Sequence, residues 1–554
     1  MTCPHLDLCG GCPLMHLEPA AQLEAKRRSL EEALAREASL ASLAVPRVVP
    51  AEPTLGYRSR VKWVALDGRL GMYGRSGGHR VVDTPRCLVV VPSLLPIADA
   101  IRRALPRLPI EAVDLREARD HDARGVLVTL VTSRSRERRA FVDFAHALVA
   151  SFPEIAGVAL NVRPKKSPQI LGSETSLLVG TTRHRDRLDR AHVLATFGAF
   201  VQAHRGQAQA IVESIAEHVI GHRREPRVLE LFGGAGAIGL ELAARGATVE
   251  LVEAFEPAAQ LAREAAVEQG LALHAHAGDA EAFVVDAVQR RAVYDAVVVD
   301  PPRRGLSPNL RRAVAELGPR VIAYVSCHAP TLARDLAHLA TLGWRVVSLF
   351  AFDMIPQTDE VESLALLAPE PLSALECAWR GPEGVVIDAP PHLSFDELAA
   401  RIAHADGTDF VTSEPHGYSS GATWLAAKGT RARPLRSEAL VLAKGITSAS
   451  GQLDGSQVRR VAALGEHSLV EIETSRPLRE ALDALARSGH PVIGGARCDA
   501  ATNRHFVEKH GLDRAFVHVT RLVAPDGHEV RSPLAGDLAA VLASLGHRSA
   551  SRAG

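Results

Sequence analysis

The chain has no net charge: Lys+Arg and Asp+Glu both number 64 in 554 residues. That balance excludes the global basic field that announces nucleic acid, so any such partner must be met by local patches. No uninterrupted apolar run reaches membrane-spanning length, and Met1-Thr2-Cys3-Pro4-His5 has no basic stretch followed by an apolar core. Neither a membrane span nor a secretory leader is expected, and the expected location is the cytoplasm. Cysteine is scarce, at 7 residues. In a reducing compartment such thiols read as metal ligands or nucleophiles before disulfides. What is present is ordinary for a globular chain, with 47% hydrophobic and 23% charged residues. The length allows roughly three to four domains, each with its own core.

Three of the cysteines open the chain. Cys3, Cys9 and Cys12 form a Cx5CxxC pattern, with Gly10 and Gly11 letting the backbone curl around a ligand. A tetrahedral set needs a fourth thiolate, and Cys87 is the next cysteine along. Four thiolates in this pattern suit a structural zinc or a [4Fe-4S] cluster, and ligand count does not separate the two. Between them, Tyr57-Arg58-Ser59-Arg60-Val61-Lys62-Trp63-Val64 alternates like a half-buried strand. Its Arg/Lys-rich face is expected to be exposed, either merely solvated or in contact with phosphate. Basic clusters recur at Arg134–Arg139, Arg163–Lys166 and Arg183–Arg187, which together make a surface facing RNA or DNA a candidate.

From Pro226 apolar strands alternate regularly with helices. The strand Arg227–Phe232 runs into Gly233-Gly234-Ala235-Gly236-Ala237-Ile238-Gly239, a turn in which a ligand can approach the backbone closely. The next strand ends in Glu253, placed to accept hydrogen bonds from a ribose. A third ends at Gly278-Asp279, suited to an adenine edge, and a fourth at Asp300-Pro301-Pro302-Arg303. Acidic residues closing successive strands on one rim are what a doubly wound sheet offers an adenosine cofactor, NAD or S-adenosylmethionine. The Asp-Pro-Pro element and the cysteine on the following strand favour methyl transfer.

That cysteine is Cys327. The apolar run Val321–Val325 stops at Ser326-Cys327, and Pro330 opens an amphipathic segment, Thr331-Leu332-Ala333-Arg334-Asp335-Leu336. A thiol at a strand-to-helix turn is exposed, and a helix N-terminus is expected to lower its pKa toward a usable thiolate. The bland alternative is a small buried hydrophobe. Further on, Glu362 precedes the strand Leu364–Leu367. It is a general base if it faces the Cys327 pocket, and otherwise an exposed strand-start residue.

Together these pieces resemble the RNA uracil-5 methyltransferase family over residues 1 to about 368. The matching elements are Cx5CxxC with Cys87, Phe200-Val201-Gln202, the Gly-rich turn, Asp300-Pro301-Pro302-Arg303, Ser326-Cys327 with Thr331–Leu336, and Val361-Glu362-Ser363. The resemblance implies an α/β, Rossmann-like class I methyltransferase domain using S-adenosylmethionine. It assigns Gln202, Phe232, Gly234, Gly236, Glu253, Asp279 and Asp300 to the cofactor site, with Gln202 also near the target base. It implies a [4Fe-4S] cluster on Cys3, Cys9, Cys12 and Cys87, a Cys327 nucleophile and a Glu362 base. The substrate it implies is RNA, ribosomal or transfer, methylated by a monomer, and it places the chain with members lacking a TRAM domain. Three positions depart from the family pattern. His328-Ala329 replaces Asn-Pro after the nucleophile, Ala203-His204 replaces Val-Asn after Gln202, and Glu360 replaces the His before the base. These departures leave room for a rival reading, a non-catalytic RNA-binding protein derived from modification enzymes.

The expected domains are 1–95 (cluster region), 96–195 (central α/β RNA-binding region) and 196–368 (methyltransferase). A linker at 369–383, a second body at 384–545 and a disordered tail at 546–554 follow. Gly384–Pro391, Ala439–Gly445, Ser488–Gly494 and Phe516–Leu522 are similar in order and spacing to α+β pseudouridine synthases. The active-site pattern of that family is missing: Ser413-Glu414-Pro415-His416 stands where it has His-Arg-Leu-Asp, and Ala439 where it has Tyr. Without the carboxylate the body is expected to be inactive, and holding RNA is its natural remaining role.

Overall fold

The structure is a computed structural model of all 554 residues. It describes residues 3–76, 80–121, 123–134, 137–164, 169–221, 225–369, 377–389, 410–411, 420–427, 435–512 and 514–547. The chain divides into two compact units. One comprises Met1–His338 with Arg345–Ala368, the other Leu339–Trp344 with Pro369–Gly554.

In the first unit the Val-rich segments of the second half form an eight-stranded sheet. From one edge its order is Leu273–Ala277, Thr248–Glu253, Arg227–Leu231, Ala296–Val299, Val321–Ser326, Glu362–Pro369, Trp344–Phe352 and Val48–Val49. The first five strands are mutually parallel. Their near-continuous apolar runs follow from burial on both faces by the crossover helices Ala237–Ala244, Glu256–Gln269, Ala280–Gln289, Pro308–Leu317 and Ala329–Thr341. Glu362–Pro369 inserts antiparallel beside Val321–Ser326, with Ser326 opposite Ser363. This is the doubly wound, Rossmann-like α/β fold class expected from the sequence, with Val48–Val49 added at one edge.

A second, seven-stranded sheet precedes it, ordered Val81–Asp83, Arg69–Tyr73, Arg60–Leu66, Ala112–Asp120, Ala123–Thr132, Ile155–Val162 and Glu174–Gly180. The expectation of a basic exposed face on Arg60–Leu66 is corrected. Arg60 turns inward to Asp114 at 2.5 and 2.9 Å and to the carbonyl of Gly198 at 2.9 Å. Lys62 is exposed. The other basic clusters are partly spent on internal pairs as well: Arg163 binds Glu111, Arg183 binds Glu264 and Arg185 binds Glu268.

The N-terminal helix Pro19–Ala35 clamps the loop that precedes Glu362. Lys26, fully buried, bonds Asp353 at 2.5 Å and the carbonyl of Ile355 at 2.9 Å. Gln22 exchanges bonds with Gln357 at 2.9 and 3.1 Å, and the Tyr57 hydroxyl donates to the Pro356 carbonyl at 3.1 Å.

The second unit is built on a ten-stranded sheet. Its centre is Ser437–Lys444, antiparallel to both His467–Thr474 and Val517–Val523. Ala439 is fully buried on that central strand. Ser413–His416 and part of the linker lie outside the described residues. Among the described residues no helix is long and apolar enough to cross a membrane.

Replacing Lys26 with Met removes one partner of a buried ion pair and leaves Asp353 uncompensated, so Lys26→Met should cost about 3–5 kcal/mol in denaturant unfolding. Adding Asp353→Leu should recover most of the loss. A Lys26→Met protein as stable as the parent would show that the pair does not hold the helix.

Candidate active site

The antiparallel insertion decides which side chains meet. Since Ser326 pairs with Ser363, Cys327, just past the end of one strand, and Glu362, the first residue of its neighbour, fall at the same end of the sheet. Cys327 is half-buried, in the turn before the helix Ala329–Thr341. Its thiol is pushed above the ordinary value by burial and by Glu362, while Arg303 pulls it down. This corrects the expected lowering: the nearby carboxylate and the enclosed position favour the neutral thiol. Glu362 is buried, which excludes the exposed strand-start alternative. Burial, then Asp300 and Glu360, hold its carboxyl well above the usual range, again opposed by Arg303. Arg303 is therefore the cation shared by Cys327 and Glu362, and sequence reasoning gave it no role of its own. Its position in the Asp-Pro-Pro-Arg element was the available signal.

Arg303 sits on a loop fixed by Asp335. That fully buried carboxylate accepts from the Tyr324 hydroxyl at 2.7 Å, the Leu306 amide at 2.8 Å and Arg311 at 2.5 Å. Gly305 has φ +72°, and a Cβ there would stand 2.4 Å from Asp335 Oδ2, so only glycine fits. The residues that depart from the family pattern are built into the same frame. Arg303 bonds Glu360. The His328 ring bonds the Thr331 hydroxyl, which donates to the Arg303 carbonyl at 2.8 Å. His204 is buried and caps the helix Arg205–Val219, its Nδ1 accepting from the Gln207 amide at 3.2 Å. Its Nε2 then donates to the Pro53 carbonyl at 3.0 Å, and the ring stacks on Tyr57. Burial keeps that imidazole pKa low, which preserves the neutral form that capping requires.

A cavity of about 1110 Å³ opens beside this rim and reaches Val325 on the strand that leads to Cys327. It is lined by Gln202, Phe232, Gly234, Glu253 and Asp300. Glu253 accepts from the Gly234 amide at 3.0 Å and the Phe255 amide at 2.8 Å, which holds the Gly-rich turn against the second strand. Phe232 and Gly234 both have left-handed φ, +62° and +56°. Gly236, φ +86°, lines neither cavity described here and serves as the turn into Ala237–Ala244. Asp279 caps Ala280–Gln289 through the Ala282 amide at 2.9 Å. It faces a separate cavity of about 510 Å³ that shares Phe232 with the larger one. Asp300 is pushed up to about 6 by burial. Glu230, an acid within an apolar strand that sequence reasoning passed over, is pushed up to about 8 by burial and by Asp300.

The N-terminal cysteines are free and half-buried. Among the described residues no group of three or more His, Cys, Asp or Glu is gathered to hold a single metal ion. The four thiols nevertheless interact. Burial, followed by Cys87, Cys9 and Cys3, pushes Cys12 up to about 12. Backbone amides of Val89 and Val90 bond Cys87, and the Gly11 amide donates to Cys9 Sγ at 3.4 Å. Amide donors to sulfur are the surroundings a ligating thiolate needs, so the donor set fits a thiolate-bound group.

Residues 204–339 match the family model described as conserved hypothetical protein 95. An uncharacterized RNA methyltransferase of Parasynechococcus marenigrum is 31% identical over 378 residues, covering 65% of this chain and 80% of that protein. Another, from Thermosynechococcus vestitus, is 30% identical over 388 residues, covering 66% and 83%. Among solved structures, the Pyrococcus abyssi tRNA (uracil-54, C5)-methyltransferase in complex with S-adenosyl-L-homocysteine superposes with a TM-score of 0.54 at 25% identity. That match covers 65% of this chain and 85% of that one. With the sheet order and the Cys327 rim already in place, these matches make the chain a member of the RNA methyltransferase family.

Proposed function

We propose that this chain transfers a methyl group from S-adenosylmethionine to carbon 5 of a uridine in RNA. The observation that carries the reading is the strand register that sets Cys327 beside Glu362, with Arg303 facing both. The Pyrococcus abyssi neighbour, whose name specifies uracil C5 and whose complex contains S-adenosylhomocysteine, supports it.

The chemistry explains why such a pair is needed. Uracil carbon 5 is a weak nucleophile. Addition of the Cys327 thiolate to carbon 6 moves the C5–C6 π electrons onto carbon 5 and the O4 enolate. Carbon 5 then takes the methyl, and the electrons of the broken S–CH3 bond remain on the departing thioether sulfur. Glu362 removes the carbon 5 proton, and the C5–C6 double bond re-forms as the C6–S bond breaks and the thiolate leaves. The environment that raises the Glu362 pKa makes its ionised form a stronger base. Reaching both faces of the ring requires the uridine to be unpaired or flipped out. Cofactor binding falls to Gln202, Phe232, Gly234, Glu253 and Asp300 in the large cavity, with Gly236 shaping the turn and Asp279 bordering the adjoining cavity. Cys3, Cys9, Cys12 and Cys87 would hold a [4Fe-4S] cluster, which would supply a thiolate-ligated cross-link within the N-terminal region. The second unit reads as an inactive pseudouridine-synthase-like body, with Ala439 buried where an active-site Tyr is expected.

Replacing Cys327 with Ala should abolish methyl transfer to RNA. Mass analysis of 5-methyluridine in ribosomal and transfer RNA from a deletion strain should show a missing methyl and name the substrate. Full activity of the Cys327→Ala protein would sink the mechanism. A second test uses pH. The single-turnover rate should rise with pH as the thiolate forms. Because Arg303 pulls the Cys327 thiol down, Arg303→Gln should move that rise to more alkaline pH; an unmoved midpoint would remove Arg303 from this role. Third, anaerobically purified protein should show iron, acid-labile sulfide and broad visible absorption. Cys12→Ala should lose all three, and an iron-free parent protein containing zinc would overturn the cluster.

A further inference from the structure

Besides the Gly-rich turn, the lining of the large cavity takes in residues of the seven-stranded sheet and of the strand Arg183–Arg187, and several are arginines. Arg116, Arg187 and Arg205 all line it, and one buried carboxylate, Asp186, stands among them. Asp186 is divided: Oδ2 meets Arg116 at 3.0 Å, Oδ1 meets Arg205 at 2.7 Å, and Oδ1 also accepts the Arg119 amide at 3.1 Å. Arg187 bonds the His121 ring and the Asp189 carbonyl, with no carboxylate partner among the described residues. The other acids on this side are engaged elsewhere. Asp189 pairs with Arg245 and Arg190, and Glu241 pairs with Arg245 while accepting three backbone amides at 189–191.

Two guanidiniums thus share one carboxylate, and the third, Arg187, has none among the described residues. In addition, the Nε of Arg116 and that of Arg205 are buried with no hydrogen-bond partner. Arg116 is only 4% exposed, so its orphaned donor is shut away from water. A buried charged donor without a partner is costly unless an acceptor arrives. Planar guanidiniums with free N–H groups around a cavity match phosphate oxygens, which accept bidentately and bring the missing negative charge.

We infer that Arg116, Arg187 and Arg205 form a phosphate-binding subsite for the RNA strand whose uridine enters the Cys327 rim. The inference rests on RNA as the substrate, but not on carbon 5 as the methylated atom. Asp186 keeps the arginines aimed and partly neutralised in the free protein, and a phosphate supplies the remaining charge on binding. Such contacts fix the register of the strand and carry no base specificity.

The test is equilibrium binding of a labelled, uridine-containing single-stranded oligoribonucleotide to the full chain over a range of salt concentrations. S-adenosylhomocysteine affinity and thermal melting are measured in parallel. Arg187→Gln and Arg205→Gln, both at partly exposed side chains, should each weaken RNA binding. Each should also reduce the slope of log K against log salt by about 0.7, the value for one single-strand phosphate contact. S-adenosylhomocysteine affinity should be unchanged in both, and melting unchanged in Arg187→Gln, whose side chain pairs with no buried carboxylate among the described residues. Asp186→Asn, which releases the arginines from their shared partner, should strengthen RNA binding at low salt. Unchanged salt slopes in both arginine variants would overturn the subsite. So would a matching loss of S-adenosylhomocysteine affinity, which would assign the arginines to the carboxylate of the cofactor, or weaker RNA binding by Asp186→Asn in a protein that melts normally. Binding does not report which atom is methylated, so failure here leaves the 5-methyluridine reading intact, and the reverse also holds.

Discussion

The site depends on one antiparallel pairing, set beside five parallel strands. Five parallel strands can align acids and glycines along one rim, because every strand ends there. They cannot set the start of a strand at that rim. Inserting Glu362–Pro369 against Val321–Ser326 does so, and it brings a strand-start carboxylate level with a strand-end thiol. Neither group has the freedom of a loop residue. The hydrogen-bond ladder behind them fixes their separation, and the helix following Cys327 fixes the turn.

The charges around that pairing are arranged in tension. Asp300, Glu360 and Glu362 crowd one end of the sheet, and burial raises Asp300 and Glu362. Arg303 is the counterweight, and its loop is held from behind by Asp335, which gathers a hydroxyl, an amide and guanidinium donors. On the far side, Lys26 and Gln22 of the N-terminal helix fasten the loop leading into Glu362. The cysteine region joins the same fastening, since the Leu14 amide donates to the Gln357 carbonyl at 3.0 Å.

The departures from the family pattern have local partners. His204 caps a helix where an Asn would also cap, which preserves the function of the position with a different acceptor. Glu360 finds Arg303, and His328 joins Thr331 to the loop behind Arg303. Each replacement is bound into the scaffold, so none reads as erosion of an abandoned site.

Much of the doubly wound sheet was legible in the sequence, because parallel strands buried on both faces write themselves as apolar runs separated by helical periodicity. The acids at strand ends and the Gly-rich turn were legible for the same reason: they fall where the runs stop. Tertiary structure alone decided the rest. The sign of the Cys327 shift depends on burial and on Glu362, a residue 35 positions away in the chain that the strand register brings beside it. The inward turn of Arg60 depends on Asp114 across a strand pair, and a basic strand face reads identically whether it meets water or a carboxylate. The arginine cluster was equally hidden. Arg116, the neighbours Asp186 and Arg187, and Arg205 lie on three separate segments, and a local charge count cannot show that two distant cations share one anion until the chain has folded around them.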